Sequence, residues 1–226
     1  MKVAALASGG LDSCVMLRDL AAQGATVLPV YVRTGLLWED AEVHWLERFL
    51  TAARIERCER LTLLELPVED LYGEHWSITG RGIPGFDTTL DSNYLPGRNL
   101  LLLSKVVVLC ALHGVERVAM APLSDNPFPD GTPEFFRAFA NAASVALSQP
   151  LSIEVPFRQM AKGDVIRRGT GLPLELTFSC IRPYGYEHCG DCTKCAERQH
   201  GFRDANLVDP THYRKPASTR RAETSS

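Results

Sequence analysis

The chain has 226 residues, 45% hydrophobic and 23% charged, with a net charge of −3, which fits a globular protein with a core of its own and excludes disordered, collagenous and disulfide-scaffold classes. Its longest apolar runs, 100–103 and 106–112, are separated by Ser104 and Lys105 and fall far short of the roughly 20 residues that a membrane span needs. Residues 214–226 hold four basic residues against one acidic residue, so the body is more acidic than the whole and lacks the basic footprint of phosphate-backbone binding; small-molecule chemistry is expected, without membrane attachment or stable nucleic-acid binding.

In chain order, residues 1–8 carry an apolar stretch too short for a secretory signal and are read as a first strand, 2–7, of a cytoplasmic protein. A helical pattern over 12–23 closes at Gly24, and a strand follows at 26–32. A helix over 39–53 leads to a strand at 60–65. The stretch 73–98 carries Gly80, Gly82, Pro84, Gly85, Pro96 and Gly97, too many breakers for a helix or central strand, and is expected to be a substrate loop or lid. A helix over 99–113 closes at Gly114, a strand spans 117–121, Thr132-Pro133 opens a helix over 133–147, and a last strand covers 152–156. This alternation predicts an α/β fold, a parallel five-stranded sheet with helices on both faces in a Rossmann-like arrangement. The loops 8–12, 33–38, 72–98 and 122–132 should then share one rim beyond the strand ends. From Cys180 the composition turns to cysteine and glycine, so the expected division is an α/β domain at 1–177, a small four-cysteine module at 178–213 and a disordered tail at 214–226.

Ser8-Gly9-Gly10-Leu11-Asp12-Ser13 stands between the first strand and the first helix. Paired glycines let a backbone approach an anion closely, and N–H groups at a helix start add donors and positive potential, so the segment reads as an anion cradle. It has neither the Lys-Ser/Thr ending of a Walker loop nor the Gly-x-Gly-x-x-Gly spacing of a dinucleotide fold. A tight turn with Asp12 as the helix N-cap is the simpler reading of the same residues.

Cys14, Cys58 and Cys110 stand apart and are expected in the core, with Cys14 also considered as a thiol nucleophile. Cys180, Cys189, Cys192 and Cys195 follow the spacing Cys-x8-Cys-x2-Cys-x2-Cys. Two-residue spacings bring neighbouring thiolates onto one ion, and Gly190 eases the turn, so a structural Zn²⁺ is expected, an iron–sulfur cluster being the alternative that four cysteines also permit. A closed four-thiolate site leaves no open position, so such an ion would staple the fold and not act as a Lewis acid.

The Ser-Gly-Gly-x-Asp-Ser loop at the end of a first strand resembles the pyrophosphate loop of the N-type ATP pyrophosphatases, whose fold is of the adenine nucleotide alpha hydrolase type. Together with Leu95-Pro96-Gly97-Arg98-Asn99, Pro133-Glu134-Phe135-Phe136, Lys162-Gly163-Asp164-Val165-Ile166 and the segment from Phe178 through Cys195 to Gly201-Phe202, it resembles the 7-cyano-7-deazaguanine synthases from Val3 to about Tyr213. The resemblance implies an ATP-dependent carbon–nitrogen ligase that adenylates 7-carboxy-7-deazaguanine, amidates it with ammonia and goes on to the nitrile. It implies ATP, Mg²⁺ and Zn²⁺ as cofactors and a homodimer. Carried over, Ala7, Ser8, Gly9, Gly10, Leu11, Asp12 and Ser13 hold the nucleotide; Asp12, Arg98 and Lys162 are the candidate catalytic residues; and Phe86, Tyr94, Arg98, Asn99 and Phe128 are the candidate substrate contacts. Two rim loops depart from the family pattern. Residues 33–39 replace a Gln-Arg-His stretch, and 122–131 replace a loop with two tyrosines. A relative that stops at the amide, or joins the deazaguanine carboxylate to another amine, conceivably on a protein in antiphage defence, is therefore also considered. So are a tRNA-modifying enzyme and a non-catalytic nucleotide-binding module.

Overall fold

A computed structural model describes residues 1–214; the tail expected to be disordered lies, from residue 215 on, outside the described residues. Five strands, β1 (Lys2–Leu6), β2 (Thr26–Arg33), β3 (Thr62–Glu65), β4 (Arg117–Ala119) and β5 (Ser152–Glu154), form one sheet in the order β3-β2-β1-β4-β5. Every pairing is parallel. β1 and β4 end at Leu6 and Ala119, one and two residues before the expected ends, although the Ala7 and Met120 amides still donate to Val30 and Glu154. The principal helices are α1 (Leu11–Ala22), α2 (Glu39–Ala53), α5 (Arg98–Leu112), α6 (Pro133–Leu147), α7 (Lys162–Arg168) and α8 (Thr193–Ala205); α3 (Glu69–Tyr72) and α4 (Trp76–Thr79) are single turns.

Parallel strands buried on both faces need side chains for two cores, and β1 supplies them alternately. Val3, Ala5 and Ala7 enter a core with Leu11, Val15, Leu46, Phe49, Ile166 and Phe202, so α1, α2, α7 and α8 cover one face. Ala4 enters a second core with Leu103, Val107, Val118 and Phe136, so α5 and α6 cover the other. Gly24 and Gly114 follow α1 and α5 with φ of +87° and +63°, as expected of helix-closing glycines. Thr132 caps α6 by accepting the Phe135 amide at 3.2 Å.

The stretch 73–98 is not wholly irregular. It holds α4 and a 3₁₀ turn at Leu90–Asn93, and α5 begins at Arg98; the glycines separate these short turns. The cysteine segment contains α8, which packs on α7, and Phe202 and Ala205 of α8 belong to the same core as β1. No helix among the described residues is long and apolar enough to cross a membrane.

The strand order reverses at β1, whose neighbours β2 and β4 are reached by connections running in opposite directions. A crevice opens beyond the carboxyl ends of the strands at such a point.

Candidate active site

The loop from β1 to α1 occupies that crevice. Gly10 is the N-cap of α1, with no side-chain cap, and Asp12 lies inside the first turn, so the simpler reading of Asp12 as a cap does not hold. The first amides of α1 are left for an anion. Gly9 has φ +75°, and a Cβ there would stand 2.8 Å from the backbone oxygen of Glu42. Both the turn and the close passage of α2 therefore require glycine. The Ser8 hydroxyl accepts the Gly10 amide at 3.3 Å and lies 3.2 Å from the Ser13 hydroxyl, which donates to the Gly10 carbonyl at 3.0 Å. Gly9 in turn accepts the Phe178 amide at 2.8 Å, joining the loop to the entry of the cysteine segment.

Behind the loop runs a chain of alternating charge. Asp12 Oδ2 accepts Lys162 Nζ at 2.7 Å, Lys162 Nζ lies 3.1 Å from Glu197 Oε1, and Glu197 Oε2 pairs with Lys194. Burial opposes the Lys162 charge, but Asp12 and Glu197 more than offset it and hold the ammonium above its usual range. Asp12 Oδ1 is buried without a partner. α8 passes close to Lys162 at Gly201, where a Cβ would come within 2.5 Å of Lys162 Cγ.

Arg98 opens α5 on the opposite wall, and its Nε is buried with no partner. Asn99 is bound to the loop of residues 122–132: its amide donates to Asp130 Oδ2 at 2.8 Å and its Nδ2 to the Asp130 carbonyl at 3.0 Å. Phe128 stacks on Tyr94 with ring centroids 5.6 Å apart. Phe86 lies elsewhere, edge-on to His200 of α8 at 5.7 Å, and lines neither of the cavities described next.

Two cavities of about 260 and 250 Å³ share Ser8, Gly10, Asp12, Glu42, Arg98 and Lys194. The first runs over the strand ends at Leu6, Val30, Val32 and Met120, with Asn99, Asn126 and Asp130 supplying polar groups. The second is walled by Trp38, Trp76, Phe128 and Phe178 and reaches Lys162 and Glu197. Trp38 and Trp76 stack on each other at 5.7 Å. Each cavity can hold a flat heterocycle, with anion donors at their junction.

Glu42, Lys194, Glu197, Trp38 and Trp76 are among the lining residues that were not expected. Glu42 shares a helical face with Leu46 and Phe49, so periodicity alone marks a carboxylate turned inward. Lys194 lies in the Cys192-x2-Cys195 spacer, and Trp38 and Trp76 belong to rim segments, where a tryptophan is a signal in itself. Cys14 is fully buried in the core, and burial pushes its thiol pKa far up, which removes it as a nucleophile.

The four clustered cysteines are all buried, with sulfurs within 4.8 Å of one another. Cys180 and Cys192 sulfurs are 3.9 Å apart and those of Cys189 and Cys195 3.8 Å. A tetrahedral ion with bonds of about 2.3 Å to sulfur requires edges of about 3.8 Å, so the donor set fits. The amides of Arg182 and Cys189 donate to Cys180 Sγ, and that of Asp191 to Cys189 Sγ, each at 3.3 Å, an arrangement that favours thiolates. Cys192 caps α8 and Cys195 lies in its first turn, so the site fixes the helix that carries Lys194 and Glu197.

Residues 2–206 match the family model described as queuosine biosynthesis protein QueC. A 7-cyano-7-deazaguanine synthase of Methanothrix thermoacetophila is 33% identical, over 92% of this chain and 96% of its own. Proteins of the same name from Anaeromyxobacter dehalogenans and Chlorobium phaeobacteroides are each 31% identical, over 93% and 94% of this chain and 94% and 97% of theirs.

Proposed function

Because the chain belongs to the QueC family of queuosine biosynthesis proteins, we propose that it uses ATP to convert 7-carboxy-7-deazaguanine and ammonia first to the amide and then to 7-cyano-7-deazaguanine. The observation that carries this reading is the meeting, at the junction of two cavities, of an uncapped glycine loop with two buried polar atoms that have no internal partner, Asp12 Oδ1 and Arg98 Nε. A buried polar atom without a partner costs stability, and a ligand that satisfies both removes that cost.

In this reading the loop amides and the Ser8 and Ser13 hydroxyls bind the diphosphate end of ATP, and Asp12 Oδ1 takes its Mg²⁺. Lys162 meets the α-phosphate, and Arg98 orients the substrate carboxylate toward it. The carboxylate oxygen bonds to the α-phosphorus and pyrophosphate leaves. Nitrogen then bonds to the acyl carbon, and AMP leaves with the electron pair of the broken carbon–oxygen bond. A second activation, at the amide oxygen, followed by loss of AMP and the amide protons, gives the nitrile. The four cysteines hold Zn²⁺ as a structural ion, and the active enzyme is a homodimer, a state that light scattering measures.

Incubation with the acid, ATP and ammonium followed by mass spectrometry tests the reading. The expected result is amide appearing first and nitrile later, with one AMP released per step. A second reading, transfer to another amine, draws support from the rim segments 33–39 and 122–131, which line the second cavity with Trp38, Asp125 and Phe128. Neither amide nor nitrile, with AMP released only when another amine is supplied, would replace the first reading by the second. A tRNA substrate is not favoured, given the acidic body and the buried Cys14.

A further inference from the structure

Amidation requires a base, because nitrogen must shed a proton as it bonds to the acyl carbon. Among the described residues, the carboxylates bordering the two cavities are Asp12, Glu42, Asp125, Asp130 and Glu197. Asp12 and Glu197 are paired with Lys162, and the Asp130 carboxylate accepts the Asn99 backbone amide on Oδ2 at 2.8 Å. Asp125 is exposed. Glu42 differs from all of these. It is 8% exposed, it borders both cavities, and its carboxylate accepts a neutral donor, the Tyr31 hydroxyl, on Oε2 at 2.7 Å. Its backbone oxygen lies against Gly9, so it sits beside the loop that holds the diphosphate.

Resting on the function proposed above, we infer that Glu42 is the general base of the amidation, taking the proton that nitrogen loses as the carbon–nitrogen bond forms and AMP departs. The proton passes from Glu42 to solvent before the next turnover, so no further reactant is needed. The groups facing the carboxylate are Tyr31 from β2, Glu39 from its own helix, Arg98 from α5 and Lys194 from α8. Burial dominates and, with the Glu39 charge, pushes the carboxyl up to about 8, against the opposing pull of Arg98, the Tyr31 hydroxyl and Lys194. A base with a pKa near the working pH is well matched to accepting a proton from nitrogen. Glu39, by contrast, is saturated by the amides of Thr34 and Gly35 and the Thr34 hydroxyl.

The sign of the pH dependence follows. Glu42 is active as the anion, so amidation falls as pH drops through about 8. Ammonia also protonates in this range, and its contribution cancels in the ratio of wild-type to E42Q rates at each pH. The experiment measures acid-dependent pyrophosphate exchange and amide formation side by side in the full chain. E42Q is expected to lower amide formation about 100-fold and exchange far less. The wild-type to E42Q ratio is expected to rise up to a pH near 8 and level off above it. Tyr31→Phe removes a donor that favours the anion, so the midpoint of its rate ratio to E42Q should move to higher pH. Equal losses in exchange and amide formation, or a ratio independent of pH, would overturn the assignment. If E42Q does not fold, an unmoved midpoint of the amidation profile of Tyr31→Phe overturns it. Absence of exchange in the wild-type protein would overturn the underlying function instead, and the inference with it.

Discussion

Gly9 carries more constraint than any other residue of the loop. Its φ of +75° and the Glu42 carbonyl 2.8 Å from a hypothetical Cβ act together: the first disfavours any side chain by roughly 1–2 kcal/mol, and the second forces α2 or the loop to move. Gly9→Ala should therefore shift the first amides of α1 away from the diphosphate. The expected outcome is a loss of acid-dependent pyrophosphate exchange of about 100-fold, the range found when a preorganised anion donor is removed, with the circular dichroism of the sheet and helices retained. Exchange at the wild-type rate would show that the loop does not hold the diphosphate. The loop was legible in the sequence because its chemistry is contiguous: two glycines, two hydroxyls and an acid between a strand and a helix. Asp12's partner was not legible. Lys162 reaches it across 150 positions, and only the packing of α7 on α1 brings them together.

Between elements, α8 is the member that links the four-cysteine cluster to the cavities. It begins on Cys192, presents Lys194 and Glu197 to the cavities, passes Lys162 at Gly201 and buries Arg198. The Arg198 guanidinium donates to Thr177 Oγ1 at 2.7 Å, the Leu174 carbonyl at 2.8 Å and Thr211 Oγ1 at 2.6 Å, tying α8 to the segments before and after it. This explains why α8 left no trace in the hydrophobic pattern. Its buried residues include Thr193, Cys195 and Arg198, anchored by sulfur and hydrogen bonds where most helices use an apolar stripe. The same reasoning covers α3 and α4, single turns too short for a period to register. Since the four cysteines hold the start of α8, metal removal should release Lys194 and Glu197. Strong chelators, or Cys192→Ala, are expected to lower the unfolding temperature and pyrophosphate exchange together, with zinc restoring both to the chelated protein. An unchanged unfolding temperature after verified metal loss would show that the ion does not staple the fold.

At the scale of the whole molecule, the parallel sheet was readable because alternating apolar runs and helical periods admit few other topologies. The two-sided core follows from β1 feeding alternate side chains to both faces. The cavities themselves were less legible. They are assembled from β1, β2, α2, α5, the loop after β4 and α8, and Glu42 and Trp38 acquire their roles only when those parts converge. The expectation that four loops would share a rim identified the place, while the position of Phe86 against His200 shows that membership of a rim loop does not bring every aromatic side chain into the cavity.

All of this depends on ATP being bound so that its α-phosphorus is open to attack by a carboxylate. The most direct measurement is exchange of labelled pyrophosphate into ATP by the purified full-length protein, with and without 7-carboxy-7-deazaguanine and in the absence of any amine. Exchange that requires the acid, accompanied by AMP and no ADP once ammonium is added, is the expected result. Release of ADP and phosphate, or exchange indifferent to the acid, would contradict it.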